Sequence, residues 1–327
     1  MRQQNCYSVD SLPPPEPGYD LQCDVSAWSP PLAEGGLPRL TIVTPSFNQA
    51  SFIEQTIRNI LLQNYPSLEY IIIDGGSTDG TQEIIRKYEP WIDYWVSEPD
   101  RGMYDALNKG FQVGSGDIMG WSPTGDVYVA GALQMMGSAF GSDKEVEWVT
   151  SAWKVKIDEE GNELRRYRVP GFSRRAFLQG LYMTHGCAAA RYTVQQQSTF
   201  WRRGLWTRAG GKMDDTMKGA GDFELWSRFF ANAELYSIDE PIGVFRTHEG
   251  QESVAHAVRM RGEAERALWR SGGTCLPLWR AEWARRLGRL ASRSTMLQRC
   301  GFGWQAWALV RDPVTKAFRR ELRSIIP

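Results

Sequence analysis

Between residues 40 and 121 short apolar runs alternate with amphipathic helical patterns. LTIVTPS (40–46), LEYIIID (68–74), IDYWVSE (92–98) and DIMGW (117–121) read as strands. SFIEQTIRNILLQ (51–63), TQEIIRKYE (81–89) and YDALNKGFQ (104–112) read as helices, the first with Ile53, Ile57, Ile60 and Leu61 on one face. Strands and helices alternating at this short spacing predict an α/β fold: a mostly parallel, twisted sheet flanked by helices.

Beyond residue 121 the pattern loosens. VTSAWKVKIDEEGNELRRYRVP (149–170) predicts two strands around a Glu-Gly-Asn turn, and QQSTFWRRGLW (196–206) runs into a helix. DFELWSRFFAN (222–232) predicts a helix with Phe223, Trp226, Phe229 and Phe230 inward, and IGVFRTH (242–248) a strand. From 253 on, helices are expected to dominate. Three regions result: an extended Pro-rich arm over 1–37, a main domain over 38–253, and a basic, Trp-rich helical extension over 254–327.

The formal net charge of the 327 residues is zero, but the charges are segregated. From Ala255 onward 15 basic residues face 5 acidic ones; the first 254 residues carry 23 basic against 33 acidic. That asymmetry bears on what the tail meets. Five scattered cysteines without a Cys-x-x-Cys pair argue against a disulfide framework or zinc site, and for a reducing compartment. The polar, Pro-rich start is not read as a signal peptide. No apolar run reaches the about 18–20 residues of a membrane span, and GFGWQAWALV (301–310) is too short. A cytoplasmic location is expected.

In an open α/β sheet, ligands bind past the carboxyl ends of the strands. Those ends read TPSFNQ (44–49), DGGSTDGT (74–81), SEPDRGMYDALNKG (97–110) and SPTGD (122–126). DGGSTDGT is either a turn in which Asp79 caps the next helix, or a loop whose Asp74 meets a nucleobase edge while its glycines admit a ligand. Asp100, Arg101, Asp105, Asn108 and Lys109 sit at a helix entry or on its face. Asp126 is either a turn residue or a ligand-holding carboxylate. A P-loop and a dinucleotide fingerprint are both absent.

The run TPSFNQASFIEQTIRNILLQNYPSLEYIIIDGGSTDGT, then EPDRGMYDALNKG, then GDIMGW with Asp126 beyond it, resembles family 2 glycosyltransferases with the GT-A fold. The resemblance continues through QQSTFWRRGLWTRAGG (196–211), DFELWSRF (222–229) and FRTHEGQES (245–253). It is strongest to bacterial enzymes of exopolysaccharide, capsule or lipopolysaccharide assembly. It implies inverting transfer of a sugar from a nucleotide-diphosphate sugar, by default a UDP-sugar, to a hydroxyl of a saccharide or lipid-linked saccharide. No nucleic-acid partner is expected.

The resemblance also implies roles. Thr44, Pro45, Phe47, Asn48, Asp74 and Gly75 would lie beside base and ribose, with Asp105 and Lys109 near the nucleotide. A divalent cation, Mg2+ or Mn2+, would be held at an Asp-x-Asp or Ser-Asp-Asp position that here reads Thr124-Gly125-Asp126; the last carboxylate remains, and glycine stands where Ser-Asp-Asp has its first. His248 would lie near metal and diphosphate. Arg246 is either a diphosphate contact or a strand-edge charge. Asp222 is the implied general base, with an N-cap as its structural alternative and Glu224 as the fallback base. Gln197, Ser198 and Thr199 would line the donor or acceptor side. Gly125 also motivates a rival, a non-catalytic nucleotide-sugar binder. In the tail, Leu276, Trp279, Trp283, Leu287 and Leu290 form one apolar stripe, with arginines mostly off it. The stripe either contacts the anionic inner face of a membrane or docks a helical subdomain on the core.

Overall fold

The computed structural model describes residues 12–14, 36–183, 187–247, 257–291, 304–312 and 317–325. Most of the 1–37 arm and His248 lie outside them. Of the arm, Leu12 is buried, and the Pro13 carbonyl accepts a hydrogen bond from the Arg58 guanidinium at 2.6 Å.

The first half is the alternation that the sequence predicts: β1 (Leu40–Ser46), α1 (Ala50–Leu61), β2 (Leu68–Asp74), α2 (Thr81–Lys87), β3 (Tyr94–Ser97), α3 (Met103–Val113) and β4 (Ile118–Trp121). β1 pairs in parallel with both β2 and β4, and β2 with β3. Side chains alternate across this sheet. Leu40, Ile42, Tyr70 and Ile72 join one buried cluster with Ile57 and Ile60 of α1; Val43, Ile71 and Ile73 join another with Leu107 and Phe111 of α3. Strands buried on both faces read as continuous apolar runs, which is why they are visible in the sequence.

The second half adds β5 (Val127–Tyr128), α4 (Ala132–Ser142), β6 (Trp148–Ser151), β7 (Trp153–Ile157), β8 (Glu163–Arg168), α5 (Arg174–Leu178), β9 (Thr199–Arg202), α6 (Arg203–Arg208), α7 (Gly221–Asn232), β10 (Tyr236–Ile238) and β11 (Gly243–Arg246). β9 enters the main sheet antiparallel, between β4 and β6. The expected hairpin is β7–β8, and it joins a separate small sheet of order β5-β11-β7-β8. The main sheet, completed by β12 (Trp304–Arg311) and β13 (Phe318–Ile325), has the order β13-β12-β10-β6-β9-β4-β1-β2-β3.

Helix α7 is fastened by aromatic rings. Trp226 stacks on Trp121 (5.6 Å between centroids, 10° between planes) and on Trp148 (5.5 Å). Trp201 meets Trp121 edge-on at 5.3 Å. All four indoles are fully buried, and none of their N–H groups has a hydrogen-bond acceptor among the described residues. Ring-on-ring packing therefore carries this junction.

The tail departs from the helical expectation. It is helical over α8 (Ala257–Arg270) and α9 (Leu278–Ala291), but the chain then returns as a hairpin, β12 (Trp304–Arg311) and β13 (Phe318–Ile325). β12 pairs in parallel with β10, so the extension completes the main sheet. The signal lies in WQAWALVR: Trp304, Ala306 and Ala308 are buried while Gln305 is exposed, a period of two. The expected stripe is divided: Leu276 packs against the buried core cluster, and the side chains of Leu287 and Leu290 lie outside the described residues. Ala281 and Arg285 face inward, and Arg285 donates to the Ala189 carbonyl at 2.5 Å, whereas Trp279 and Trp283 are 61% and 58% exposed. Among the described residues no helix is long and apolar enough to cross a membrane.

Candidate functional site

The carboxyl ends of β1 and β2 are tied together by short polar bonds. Asn48 takes a left-handed conformation (φ 50°), which Asn tolerates. Its N–H donates to Ser77 Oγ at 2.7 Å, and its side-chain oxygen accepts from the Thr78 N–H at 3.0 Å. Asp79 accepts from the N–H of Ala50 and of Thr81, at 2.9 and 3.1 Å. Asp74 is fully buried and accepts from Gly76 N–H, Ser77 N–H, Ser77 Oγ and Ser97 Oγ. It anchors the loop. Thr44 likewise points into the core, where its hydroxyl shares a 3.2 Å hydrogen bond with Tyr70.

What these ties present outward is a different set. The Phe47 ring is 58% exposed. A methyl group on Gly75 would stand 2.8 Å from Asp100 Oδ2 and 3.2 Å from Phe47 Cδ2, so Phe47, Gly75 and Asp100 converge. The Gly102 N–H holds Asp100 Oδ1 at 2.7 Å. Asp100 Oδ2 has no protein donor among the described residues and is available to a ligand. An exposed ring beside a glycine and an open carboxylate suits a planar base that carries an N–H. Asp100 stands in the sequence motif without an assigned role; the fold sets its Oδ2 beside Gly75.

The 98–109 segment is braced by charges. Lys109 pairs with Glu98 at 2.7 Å. Arg101 pairs with Asp105 at 2.9 Å and Asp215 at 2.5 Å. The Arg101 hydrogen bond, aided by its charge, holds the Asp105 carboxyl below its ordinary range. The two residues expected near the nucleotide, Asp105 and Lys109, thus shape the loop that carries Asp100.

Past β4, Gly125 has φ 100°, a backbone setting that disfavours side chains, and a Cβ there would meet no atom within 4 Å. Asp126 is 5% exposed. Its Oδ1 accepts from the Arg246 N–H at 3.0 Å, and Oδ2 has no protein donor among the described residues. Burial pushes its carboxyl up to about 7, against the pull of that N–H and the Arg246 charge. Arg246 is itself buried. Its guanidinium donates to the Gly125 carbonyl (2.9 Å), the Asp158 and Glu159 carbonyls (3.0 and 2.6 Å) and Gln55 Oε1 (2.6 Å). It pins the Asp126 turn to β11 and α1, and is not presented to a ligand.

Asp222 stands at the first turn of α7, part-buried, with Oδ1 accepting from the Phe223 N–H at 2.8 Å. Burial raises its carboxyl to about 6. The Tyr104 ring closes on one side; a methyl on Gly221 would meet it at 2.7 Å. The residue is not an N-cap: it lies inside the helix, and no side chain caps α7. The turn before α7 is held instead from the extension. Glu263 of α8, 2% exposed, accepts from the N–H of Lys218 (3.1 Å), Gly219 (3.0 Å) and Ala220 (3.2 Å). Burial opposes its ionisation, but these N–H groups and Arg259 keep its carboxyl low. Glu224 pairs with Arg228 at 2.7 Å. Ser198 exchanges hydrogen bonds with Gly243, and the Thr199 hydroxyl bonds the Gln195 carbonyl and the Thr150 hydroxyl. Gln197 is 1% exposed, and its Nε2 has no acceptor among the described residues. The sequence gives no sign of Lys154, whose buried amine lies 5.0 Å from the Phe172 ring centroid and is pushed down to about 7 by burial.

A mostly parallel sheet with polar strand ends, a second small sheet and a carboxylate-bearing helix beside them make up a GT-A fold. Among solved structures, S. aureus TarS residues 1–349 in complex with UDP-GlcNAc is similar with a TM-score of 0.56 and 15% identity, over 78% of this chain and 72% of that one. Residues 41–194 match the model of glycosyl transferase family 2. An uncharacterized glycosyltransferase of Mycobacterium tuberculosis is 32% identical over 181 residues, 53% of this chain and 62% of the relative. The Bacillus subtilis glycosyltransferase TuaG, named for teichuronic acid biosynthesis, is 33% identical over 101 residues, 30% of this chain and 40% of that protein. The chain thus spans less than two thirds of the length of these relatives.

Proposed function

We propose that the protein is an inverting glycosyltransferase that moves a sugar from a nucleotide-diphosphate donor, by default a UDP-sugar, to a saccharide hydroxyl in cell-surface polysaccharide assembly. The single observation that carries this reading is Asp222: an ionisable group at the head of a helix, held near neutrality by burial and left open on one oxygen. A general base needs that combination. The acceptor hydroxyl gives its proton to the Asp222 carboxylate. Its oxygen attacks the anomeric carbon from the face opposite the leaving diphosphate, and the bond to the diphosphate oxygen breaks with its electron pair. Phe47 and Asp100 orient the base, and the polar ties beneath them keep that setting rigid before the donor arrives.

A divalent cation fits the residues present. Asp126 is a buried carboxylate with one oxygen fixed by a backbone N–H and the other available, and hard cations that bridge phosphates need few protein ligands. Asp126, with His248 by resemblance, would hold it. When bound, such a cation supplies positive charge to the leaving diphosphate.

A panel of nucleotide sugars with manganese, assayed for nucleotide release with and without saccharide acceptors, tests the reading. Acceptor-stimulated release of UDP is expected. The left-handed Gly125 favours a second reading, a binder that has lost half its metal pair. Tight nucleotide binding with no release from any donor would select it.

A further inference from the structure

We propose that α9 is an interfacial helix that seats the protein on an anionic phospholipid bilayer. The inference deepens the acceptor reading, because lipid-linked saccharides are presented at such a surface.

Three tryptophans on two successive helices are turned to solvent: Trp269 of α8 is 76% exposed, and Trp279 and Trp283 of α9 are 61% and 58% exposed. Leu278 adds a further exposed apolar side chain at the start of α9. This chain buries four other tryptophans completely, so outward indoles on consecutive helices need a reason. The arginines beside them supply it. The Arg280 guanidinium lies 5.1 Å from the Trp279 ring centroid, and that of Arg286 5.7 Å from Trp283. Neither forms an ion pair with a carboxylate among the described residues. Glu282 is the one acidic side chain on that exposed face of α9. An indole flanked by an unneutralised guanidinium matches the headgroup level of a bilayer, where the ring enters the boundary and the cation reaches phosphate.

Charge segregation points to the same occupant. The segment from Ala255 has an excess of ten positive charges, and the remainder an equal negative excess. An anionic surface therefore attracts the tail and repels the rest, which fixes orientation as well as affinity. The opposite face of α9 is already used, through Ala281 and Arg285, so the helix need not leave the protein to bind.

Flotation of the full chain with vesicles tests this. Phosphatidylcholine vesicles containing phosphatidylglycerol should carry the protein, and phosphatidylcholine alone should not. Trp279→Ala/Trp283→Ala and Arg280→Glu/Arg286→Glu should each lower the partition coefficient more than about tenfold, with elution volume and melting temperature unchanged. No flotation with the anionic vesicles, or undiminished flotation of both variants, overturns the proposal. So does a concentration-dependent dimer that the tryptophan variant abolishes, since the face would then belong to a second copy. Vesicle binding needs no donor, so it stands or falls separately from nucleotide release.

Discussion

Replacing Asp222 by Asn isolates the role of its charge. The amide keeps the shape and can still accept from the Phe223 N–H, but it cannot take a proton from an acceptor hydroxyl. Transfer should fall by about 10²–10⁴, and nucleotide affinity, measured by calorimetry, should stay within about twofold. The wild-type pH profile is the more demanding check. With its carboxyl raised to about 6, Asp222 is ionised in about one molecule in ten at pH 5. kcat/KM should thus rise about tenfold per pH unit up to that value and level off above it. An ordinary carboxyl would leave the rate flat over the same range. Stability runs the opposite way. A carboxyl raised on folding favours the native state at low pH, and that contribution is lost as pH climbs from about 4 through about 6. Asp222→Asn should therefore raise the melting temperature at pH 8 and not at pH 4. The side chain is only part-buried, which limits the gain to about 1–2 kcal/mol. A variant that loses nucleotide binding, or is less stable at pH 8, would refute the assignment and make Asp222 a scaffold residue.

Gly75→Ala puts a methyl 2.8 Å from Asp100 Oδ2 and should weaken UDP binding about tenfold by calorimetry, with the melting temperature little changed. Glu263→Ala strands the N–H groups of Lys218, Gly219 and Ala220; it should cost about 2–3 kcal/mol in denaturant unfolding and lower kcat while the donor KM holds. Trp226→Ala removes the ring stacked on Trp121 and Trp148, with an expected loss of about 3–5 kcal/mol in chemical denaturation.

The half of the fold built from parallel strands is legible because β1, β2 and β4 are buried on both faces. β2 spans the very residues, Leu68–Asp74, that the apolar run marks. The hairpin after α9 is missed because its period-two signal sits in an apolar, Trp-rich run that also resembles a short membrane-seeking segment. The site is legible in outline, and its internal bonding is not, for a physical reason. The sequence names which side chains can bind a ligand but not which are already occupied. Asp74 is taken by Ser97, 23 residues away, and Arg246 by Gln55 across the fold. Asp100 looks like one more loop acid until Gly75 and Phe47 are seen beside it. Asp222 is marked by the sequence, but Glu263, which clamps the turn before α7, is supplied by a helix that sequence reading assigns to a separate extension.

The β12–β13 hairpin bears on solubility as well as topology. Without it β10 would end the main sheet, and its open backbone groups would offer a template for pairing with another molecule. β13 takes that outer position carrying Arg319, Arg320, Glu321 and Arg323, charges that resist strand addition. β13 thus guards the edge of the sheet, and a variant cut before β12 should aggregate where the protein with the hairpin stays dispersed.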